Sequence, residues 1–535
     1  MRLVTAREMQ TIDRRTIDGG FVPSLVLMER AGEAVARHVV HAAHGRPGGV
    51  EILCGKGNNG GDGLVVARLI AAQGIAVRVH LTHAPAELSA DARANFERLD
   101  TSRVAVEVLP ATLEDLGPRG DGDPPAGAER CTDAATRRLF ETLQQAAVCV
   151  DALLGTGVTS ALQGRLAALV NLLNHAARTA IAIDVPSGID GDTGAVYGVA
   201  VRATQTVTCG FQKVGLLFHP GRAHAGRVHV ADLGFPAAIA AAVAPARFAI
   251  DGALVRSWAP RHAPGAHKYQ RGVVAIVAGS EAYAGAAVLT ALSALRAGAG
   301  MVHVFVPEGL RALLQMRVLE AIVHGVQSDD DGGFARDAAA EIQASLPRTH
   351  ARALVIGPGL GSGEEPRDCA RAVLAAWPGP AVVDADALAA LPLPAAAARI
   401  VTPHDGELAR WLGTPVPQSA LDRLQFVAGA ARTRQVTLLA KGPATIVATP
   451  EGELYVNTTG VPALATAGSG DVLAGAIGAL LAQGLAPERA AGLGAWMHGM
   501  AAQAAAGTHG SGVIARDIAA ELGWALQTAA AWDPQ

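Results

Sequence analysis

The sequence predicts two α/β domains, each built on a largely parallel sheet. Three observations carry that expectation. The chain has 535 residues, more than one hydrophobic core ordinarily serves. Short strand-like apolar runs alternate with helix-like segments through both halves, as in sheets whose strands are joined by helical crossovers. Glycine-rich turns stand where those strands end, and because the turns of the two halves share no motif, the chain reads as a fusion of two different units. Between Leu233 and His267 an Ala/Pro-rich passage closes in Ala259-Pro260-Arg261-His262-Ala263-Pro264-Gly265, before a fresh strand at Gly272–Ala278. This places the break near residue 245, with one domain over 1–240 and the other over 245–535.

Composition excludes several classes of protein. Half the residues are apolar, yet no uninterrupted apolar run reaches the roughly 18 to 20 residues of a membrane span. Arg2, Arg7, Glu8 and Asp13 leave no room for a signal-peptide core, so a cytoplasmic protein with no membrane association is expected. Cys54, Cys131, Cys149, Cys209 and Cys369 are scattered and lack C-x-x-C spacing, which suits reduced core thiols rather than zinc or disulfides. A net charge of −4 with mixed signs offers no basic stripe, so nucleic acid is not an expected partner. Small ligands are, and a homo-oligomer is expected.

In the first half the run Gly55-Lys56-Gly57-Asn58-Asn59-Gly60-Gly61-Asp62-Gly63 lies between a strand at Val50–Cys54 and a helix at Leu64–Ala72, with the next strand at Ala76–Leu81. Glycines let a ligand approach the backbone, and the free N–H groups of a helix start favour an anion. Gly55, Gly57 and Gly60 satisfy G-x-G-x-x-G spacing, but Leu81-Thr82-His83 stands where a dinucleotide fold puts its ribose-binding acid, which rules out an ordinary Rossmann dehydrogenase. The oxygens of Asn58, Asn59 and Asp62 suit a hard cation as well as a ribose or amide. Alternatively, Asp62 simply caps the helix. Two more strands, Val148–Asp151 and Ala180–Ile183, run into Ala152–Gly157 and into Asp184-Val185-Pro186-Ser187-Gly188-Ile189-Asp190. Open parallel sheets bind ligands at the carboxyl ends of their strands, so Asn59, Asp151, Asp184 and Ser187 are expected to converge. One strand-end Asp alone is more often a turn residue; three such loops together make a site. The tract Gly117–Gly127 (GPRGDGDPPAG) is read as a surface excursion.

GNNGGDG, DALLGTG and IDVPSGID together resemble the epimerases that interconvert the two epimers of hydrated NADH or NADPH, over about residues 1–235. The resemblance implies a Rossmann-like three-layer α/β/α domain with a potassium ion held by Asn59, Asp151 and Ser187. It implies substrate contacts from Asn58, Asn59, Gly60, Gly61 and Asp62, from Gly155, Thr156, Gly157, Val158, Thr159, Ser160 and Ala161, and from Asp184. Inverting a hydroxyl-bearing ring carbon needs proton transfer to and from oxygen, for which a fixed carboxylate such as Asp184 is suited. One departure is Arg30 in Leu27-Met28-Glu29-Arg30-Ala31-Gly32, where the family usually carries Asn.

The second half carries Thr466-Ala467-Gly468-Ser469-Gly470-Asp471-Val472-Leu473-Ala474-Gly475, a glycine-rich turn opening a helix that continues through Leu481. Gly468–Gly470 would hold phosphoryl charge on their N–H groups while Asp471 draws a proton from a hydroxyl; the plainer alternative is an N-cap Asp. Four further loops each follow a short apolar strand: Gly357–Gly361 (GPGLG), Asp384–Leu388 (DADAL), Thr402–Glu407 (TPHDGE) and Lys441–Thr445 (KGPAT). One crevice is expected, although His404 alone suits a surface turn and Lys441 alone a solvated charge.

This ordered set resembles the ribokinase-like superfamily, more closely its ADP- or ATP-dependent NAD(P)H-hydrate dehydratase branch, over about residues 250–530. The opening His267-Lys268-Tyr269-Gln270-Arg271-Gly272 and Gly279-Ser280 also look like that branch. The resemblance implies a ribokinase-like α/β domain in which Lys441, Gly442, Pro443, Ala444, Thr445 and Gly470 bind ADP or ATP, with magnesium a candidate companion. Ala286, Gly359, His404 and Asp471 would bind the hydrated substrate, with Asp471 as base. Asp405 replaces the usual Pro after His404. Both halves together imply epimerisation and dehydration of NADHX and NADPHX in one chain. Two rivals stay open at this stage: a small-molecule kinase fused to a nucleotide-sensing module, and an N-terminal protein-interaction module that keeps the loops without catalysis.

Overall fold

A computed structural model describes residues 1–120, 127–395 and 397–532. Part of the tract read as a surface excursion, residues 121–126, lies outside the described residues. The chain forms two compact units; the main segment of the first is Arg2–Pro245, and those of the second are Ala246–Gln418 and Asp422–Gln535.

The first unit contains β1 (Leu3–Val4), β2 (Val50–Cys54), β3 (Val77–Leu81), β4 (Val104–Val108) and β5 (Val148–Ala152). It continues with β6 (Ala180–Ile183), β7 (Gln205–Cys209), β8 (Gln212–Lys213) and β9 (Arg227–Ala231). Seven of these make one sheet in the order β4-β3-β2-β5-β6-β7-β9, with every pair parallel, while β1 pairs with β8. The central strands β2 and β5 are buried on both faces, which is why they read as continuous rather than alternating apolar runs. The chain order reverses between β2 and β5; a crevice opens at such a switch point because the two loops leave to opposite faces.

One expectation fails instructively here. The helix after β2 runs over Asn58–Ala72, six residues earlier than the predicted start at Leu64, so the glycine run is mostly the first turns of a helix. Glycine is intrinsically poor in helices, but this helix packs so tightly that side chains are excluded. A Cβ on Gly60 would run into the carbonyl of Gly55, and one on Gly63 would stand 2.6 Å from Ala152 Cβ. Tertiary packing overrides propensity. Asp62 therefore lies inside the helix and does not cap it; the N-cap is Gly57, which makes no side-chain cap bond.

The second unit contains β10 (Arg247–Ile250), β11 (Val273–Val277), β12 (Met301–Pro307), β13 (Ile322–Val326) and β14 (Ala353–Ile356). After these come β15 (Ala381–Val383), β16 (Arg399–Val401), β17 (Thr437–Ala440), β18 (Ile446–Ala448) and β19 (Leu454–Asn457). The ten strands form one sheet, β10-β19-β18-β17-β16-β15-β14-β11-β12-β13, parallel except at β17/β18 and β18/β19. Because β14 to β17 are consecutive neighbours, the four motif loops that follow them emerge side by side. The helix Ser469–Ala482 is buried over its whole length beyond the first turn, as its uniformly apolar sequence requires. No helix among the described residues is long and apolar enough to cross a membrane.

Candidate functional site

At the carboxyl ends of β2, β5 and β6 the first unit holds a cavity of about 760 Å³. Its lining includes Asn58, Asn59, Asp62, Gly155, Thr156, Gly157 and Asp184. Gly60 and Gly61 are buried beneath it. Of the loop Gly155–Ala161, Val158 to Ala161 do not line the cavity, and Thr159, Ser160 and Ala161 are exposed.

Asn59, Asp151 and Ser187 all meet one turn. Asp151, fully buried near the end of β5, accepts hydrogen bonds from Leu153 N (3.2 Å), Ser187 N (2.8 Å) and Ser187 Oγ (2.6 Å). Ser187 Oγ also accepts from Leu154 N at 2.9 Å. A Cβ on Gly155 would stand 3.4 Å from Asn59 Oδ1 and 3.5 Å from Asp184 Oδ2. Burial pushes the Asp151 carboxyl up to about 6 against those three hydrogen bonds, and Asn59 Nδ2 is buried without a partner. Among the described residues no cationic side chain stands beside this buried carboxylate, and its hydroxyl and amide neighbours suit a hard cation held by oxygen ligands. Among the described residues no three His, Cys, Asp or Glu side chains cluster as for a transition metal.

The residue that sequence reasoning missed is Lys213. It is 0 % exposed, and its ammonium donates to Asp184 Oδ1, to Thr208 Oγ1 at 3.2 Å and to Cys209 O at 2.8 Å. Asp184 stands at a φ of +66° and also accepts from Cys209 N at 3.1 Å, so its carboxylate is fixed from several sides. A lone lysine within the apolar run Phe211–Leu217 was the available signal: a charge is buried only when it is paired. Arg30 Nη1 donates to Leu233 O at 2.6 Å, fastening the helix Ser24–Ala43 to a residue of the cavity wall.

In the second unit the loops of β14 to β17 meet the start of the helix Ser469–Ala482. Asp384 is 2 % exposed and accepts from Thr402 Oγ1 at 2.7 Å and from Lys441 Nζ at 3.0 Å. Lys441 is therefore a paired charge of the crevice and not a solvated one. Burial opposes its charge, but the carboxylates of Asp384 and of Glu407, 3.8 Å away, outweigh burial and hold its proton above the usual lysine range. Gly470 follows the same pattern, since a Cβ there would stand 3.3 Å from Lys441 Nζ. Asp471 makes no cap; Gly468 is the N-cap, in a left-handed conformation. Burial, then the neighbouring Asp384, push the Asp471 carboxyl up to about 7 against the pull of Lys441. That places a carboxylate where it can both take and give a proton near neutrality.

Gly359, at a φ of +64°, would clash with Ala286 Cβ at 2.8 Å if it carried a side chain, so these two predicted residues are neighbours. His404 is the N-cap of the helix Asp405–Leu412; its Nδ1 accepts from Gly406 N and Glu407 N, and its ring is more than half exposed. The Asp405 that departs from the family pattern pairs bidentately with Arg423, at 2.9 and 2.6 Å, and Arg423 Nη2 also donates to Lys441 O at 3.2 Å.

Fold and sites define a two-unit α/β protein whose crevices both lie at the ends of parallel strands, one holding the Asp184–Lys213 pair and the other the buried Asp471 carboxyl at a helix start. Two family models match: that of YjeF-related protein N-termini over residues 24–215 and that of NAD(P)H-hydrate dehydratases over 274–523. The bifunctional NAD(P)H-hydrate repair enzyme of Moorella thermoacetica is 39 % identical over 98 % of this chain and 97 % of its own. That of Salinibacter ruber is 38 % identical over 95 % and 92 %. A solved ADP/ATP-dependent NAD(P)H-hydrate dehydratase from Bacillus subtilis, co-crystallised with ATP and Mg2+, is 31 % identical, covers 53 % of this chain and 98 % of its own, and superimposes with a TM-score of 0.47. The chain belongs to the family of bifunctional NAD(P)H-hydrate repair enzymes.

Proposed function

We propose that the first unit epimerises R- and S-NADHX and NADPHX, and that the second dehydrates the S epimer to NADH or NADPH with consumption of ADP or ATP. Full-length similarity carries this reading, because relatives named as bifunctional NAD(P)H-hydrate repair enzymes match over nearly their whole length and both family models match this chain. In the epimerase cavity the lining residues Asn58, Asn59, Asp62, Gly155, Thr156, Gly157 and Asp184 contact the hydrated nucleotide, with Asp184 as base. Asn59, Asp151 and Ser187 hold potassium, whose charge would offset that of Asp151 and fix the Leu153–Gly155 turn. In the dehydratase crevice Ala286, Gly359, His404 and Asp471 contact the substrate, while Lys441 to Thr445 and Gly470 hold the nucleotide. Asp471 takes the ring-hydroxyl proton as that oxygen attacks the terminal phosphoryl group; Lys441 and the N–H groups at the helix start stabilise the transferring charge. Phosphate then leaves with the electron pair of its C–O bond as the ring nitrogen lone pair forms C=N, and the adjacent ring carbon gives up a proton to solvent so that its C–H pair becomes the restored ring double bond and the C=N pair returns to nitrogen. A cytoplasmic homo-oligomer is part of the same proposal.

Mixed-epimer NADHX, supplied with ADP or with ATP, tests it through the near-ultraviolet absorbance of NADH. Nucleotide-dependent recovery of both epimers, faster than spontaneous epimerisation, is the expected result. Recovery of the S epimer alone refutes the epimerase, and no recovery with either nucleotide refutes the dehydratase. Replacing KCl by choline chloride is expected to slow epimerisation alone, and Asp151→Asn to remove that dependence.

A further inference from the structure

The helix Ala6–Asp18 precedes residue 24, where the N-terminal family match begins, yet it sends Met9, Gln10, Asp13 and Ile17 into the wall of the epimerase cavity. Asp13 there faces a charge imbalance. Three carboxylates share the cavity, those of Asp13, Asp62 and Asp184, and the only buried ammonium among the described lining residues is that of Lys213, committed to Asp184. Among the described residues neither the Asp13 nor the Asp62 carboxylate accepts a hydrogen bond. Three carboxylates against one buried ammonium, walled by Met9, Leu27, Met28 and Leu153, repel one another, so the cluster keeps a proton to higher pH than separate carboxyls would.

We propose that Asp13 is a second catalytic residue of the epimerase cavity, exchanging one proton with the substrate's ring hydroxyl while Asp184 handles the other. This rests on the epimerase reading of the site. The carbon to be inverted carries both the hydroxyl and the ring nitrogen. Its C–O bond breaks with the electron pair going to oxygen; that oxygen takes the proton of Asp13 and departs as water, and the nitrogen lone pair forms the C=N bond. Water adds to the opposite face, its oxygen forming the new C–O bond, the C=N pair returns to nitrogen, and Asp184 takes the water's proton. The reverse reaction starts from the protonated Asp184. Nothing is oxidised and no co-reactant is needed: the pair begins and ends each inversion with one proton.

Burial raises the Asp13 carboxyl to about 6, with the Asp184 charge adding to the rise and Lys213 opposing it. Burial, then Asp184 and Asp13, hold the Asp62 carboxyl well above the usual range, with Lys213 opposing. The Cys209 thiol is held neutral in the same way. Lys56 and His83 also reach the cavity.

The test uses the full chain and purified R-NADHX, with Asp13→Asn and Asp13→Glu beside the wild type. D13N is expected to lose about 100-fold or more in epimerisation kcat, with KM nearly unchanged and S-NADHX dehydration intact, and D13E to recover part of it. Because the pair must carry one proton in either direction, wild-type kcat/KM falls as pH rises above about 6, and D13N lacks that turn. A D13N kcat within threefold of wild type overturns the proposal, as does a loss confined to KM with the pH turn retained. A wild-type chain that dehydrates S-NADHX but does not epimerise overturns the epimerase reading itself.

Discussion

The charges around Asp471 make the pH dependence of dehydration a direct probe of the second crevice. Its carboxyl is raised from 3.8 to about 7, first by burial and then by Asp384, with Lys441 pulling the other way. As the base it must be ionised, so kcat/KM for S-NADHX is expected to fall about tenfold per pH unit below that value. Asp384→Asn removes the like charge but keeps an oxygen for Thr402, and it frees Lys441, now 3.0 Å from Asp384, to act on Asp471. A like charge at such range is worth about 1 to 3 pKa units; a shift of about one unit moves the limb from near pH 7 to near pH 6. The ratio of kcat/KM at pH 6 to that at pH 8 then rises from about 0.1 to about 0.5. Lys441→Met must move the limb the other way. Initial rates with saturating nucleotide, normalised within each variant, measure both shifts. Limbs that stay put, or move in the same direction in both variants, would refute the role of Asp471 as a base tuned by this pair.

Two more perturbations probe the frames that hold the sites. Lys213→Met leaves the Asp184 carboxylate in the cavity without its ammonium, and breaking a buried pair costs about 3 to 5 kcal/mol. Calorimetry of the full chain should show the N-terminal transition fall by about 10 °C, whereas a loss under about 1 kcal/mol would mean that water or a solute replaces the pair. Asp405→Ala strips the partner from Arg423, whose side chain is only 8 % exposed and which holds the Lys441 carbonyl. Its expected effect is a nucleotide KM raised about five- to tenfold, or roughly 1 kcal/mol, with kcat for S-NADHX little changed; an unaltered KM would show that the pair does not position the Lys441 loop.

Much of this protein was legible before any coordinates. Apolar runs with no alternation, such as Val50–Cys54 and Val273–Val277, mark strands covered on both faces, and the loops that follow them marked both crevices, because parallel sheets gather their functional residues at one edge. The motif residues Asn59, Asp151, Ser187, Asp384 and Lys441 were visible for that reason. What the sequence could not express was how those side chains are paired. A helix that begins at Asn58 despite three glycines depends on the close approach of strands β2 and β5, a contact between distant segments that overrides local propensity. Lys213 meets Asp184 only because β8 carries it under the carboxylate at the end of β6, and the pairing of Asp405 with Arg423 joins residues 18 apart. Periodicity and turn chemistry are local, so the sequence by itself determined the alternating architecture and the position of its site-bearing loops. Which buried charges face one another, and hence which carboxylates keep a proton, is a sum over distances and burial that only the tertiary structure decided.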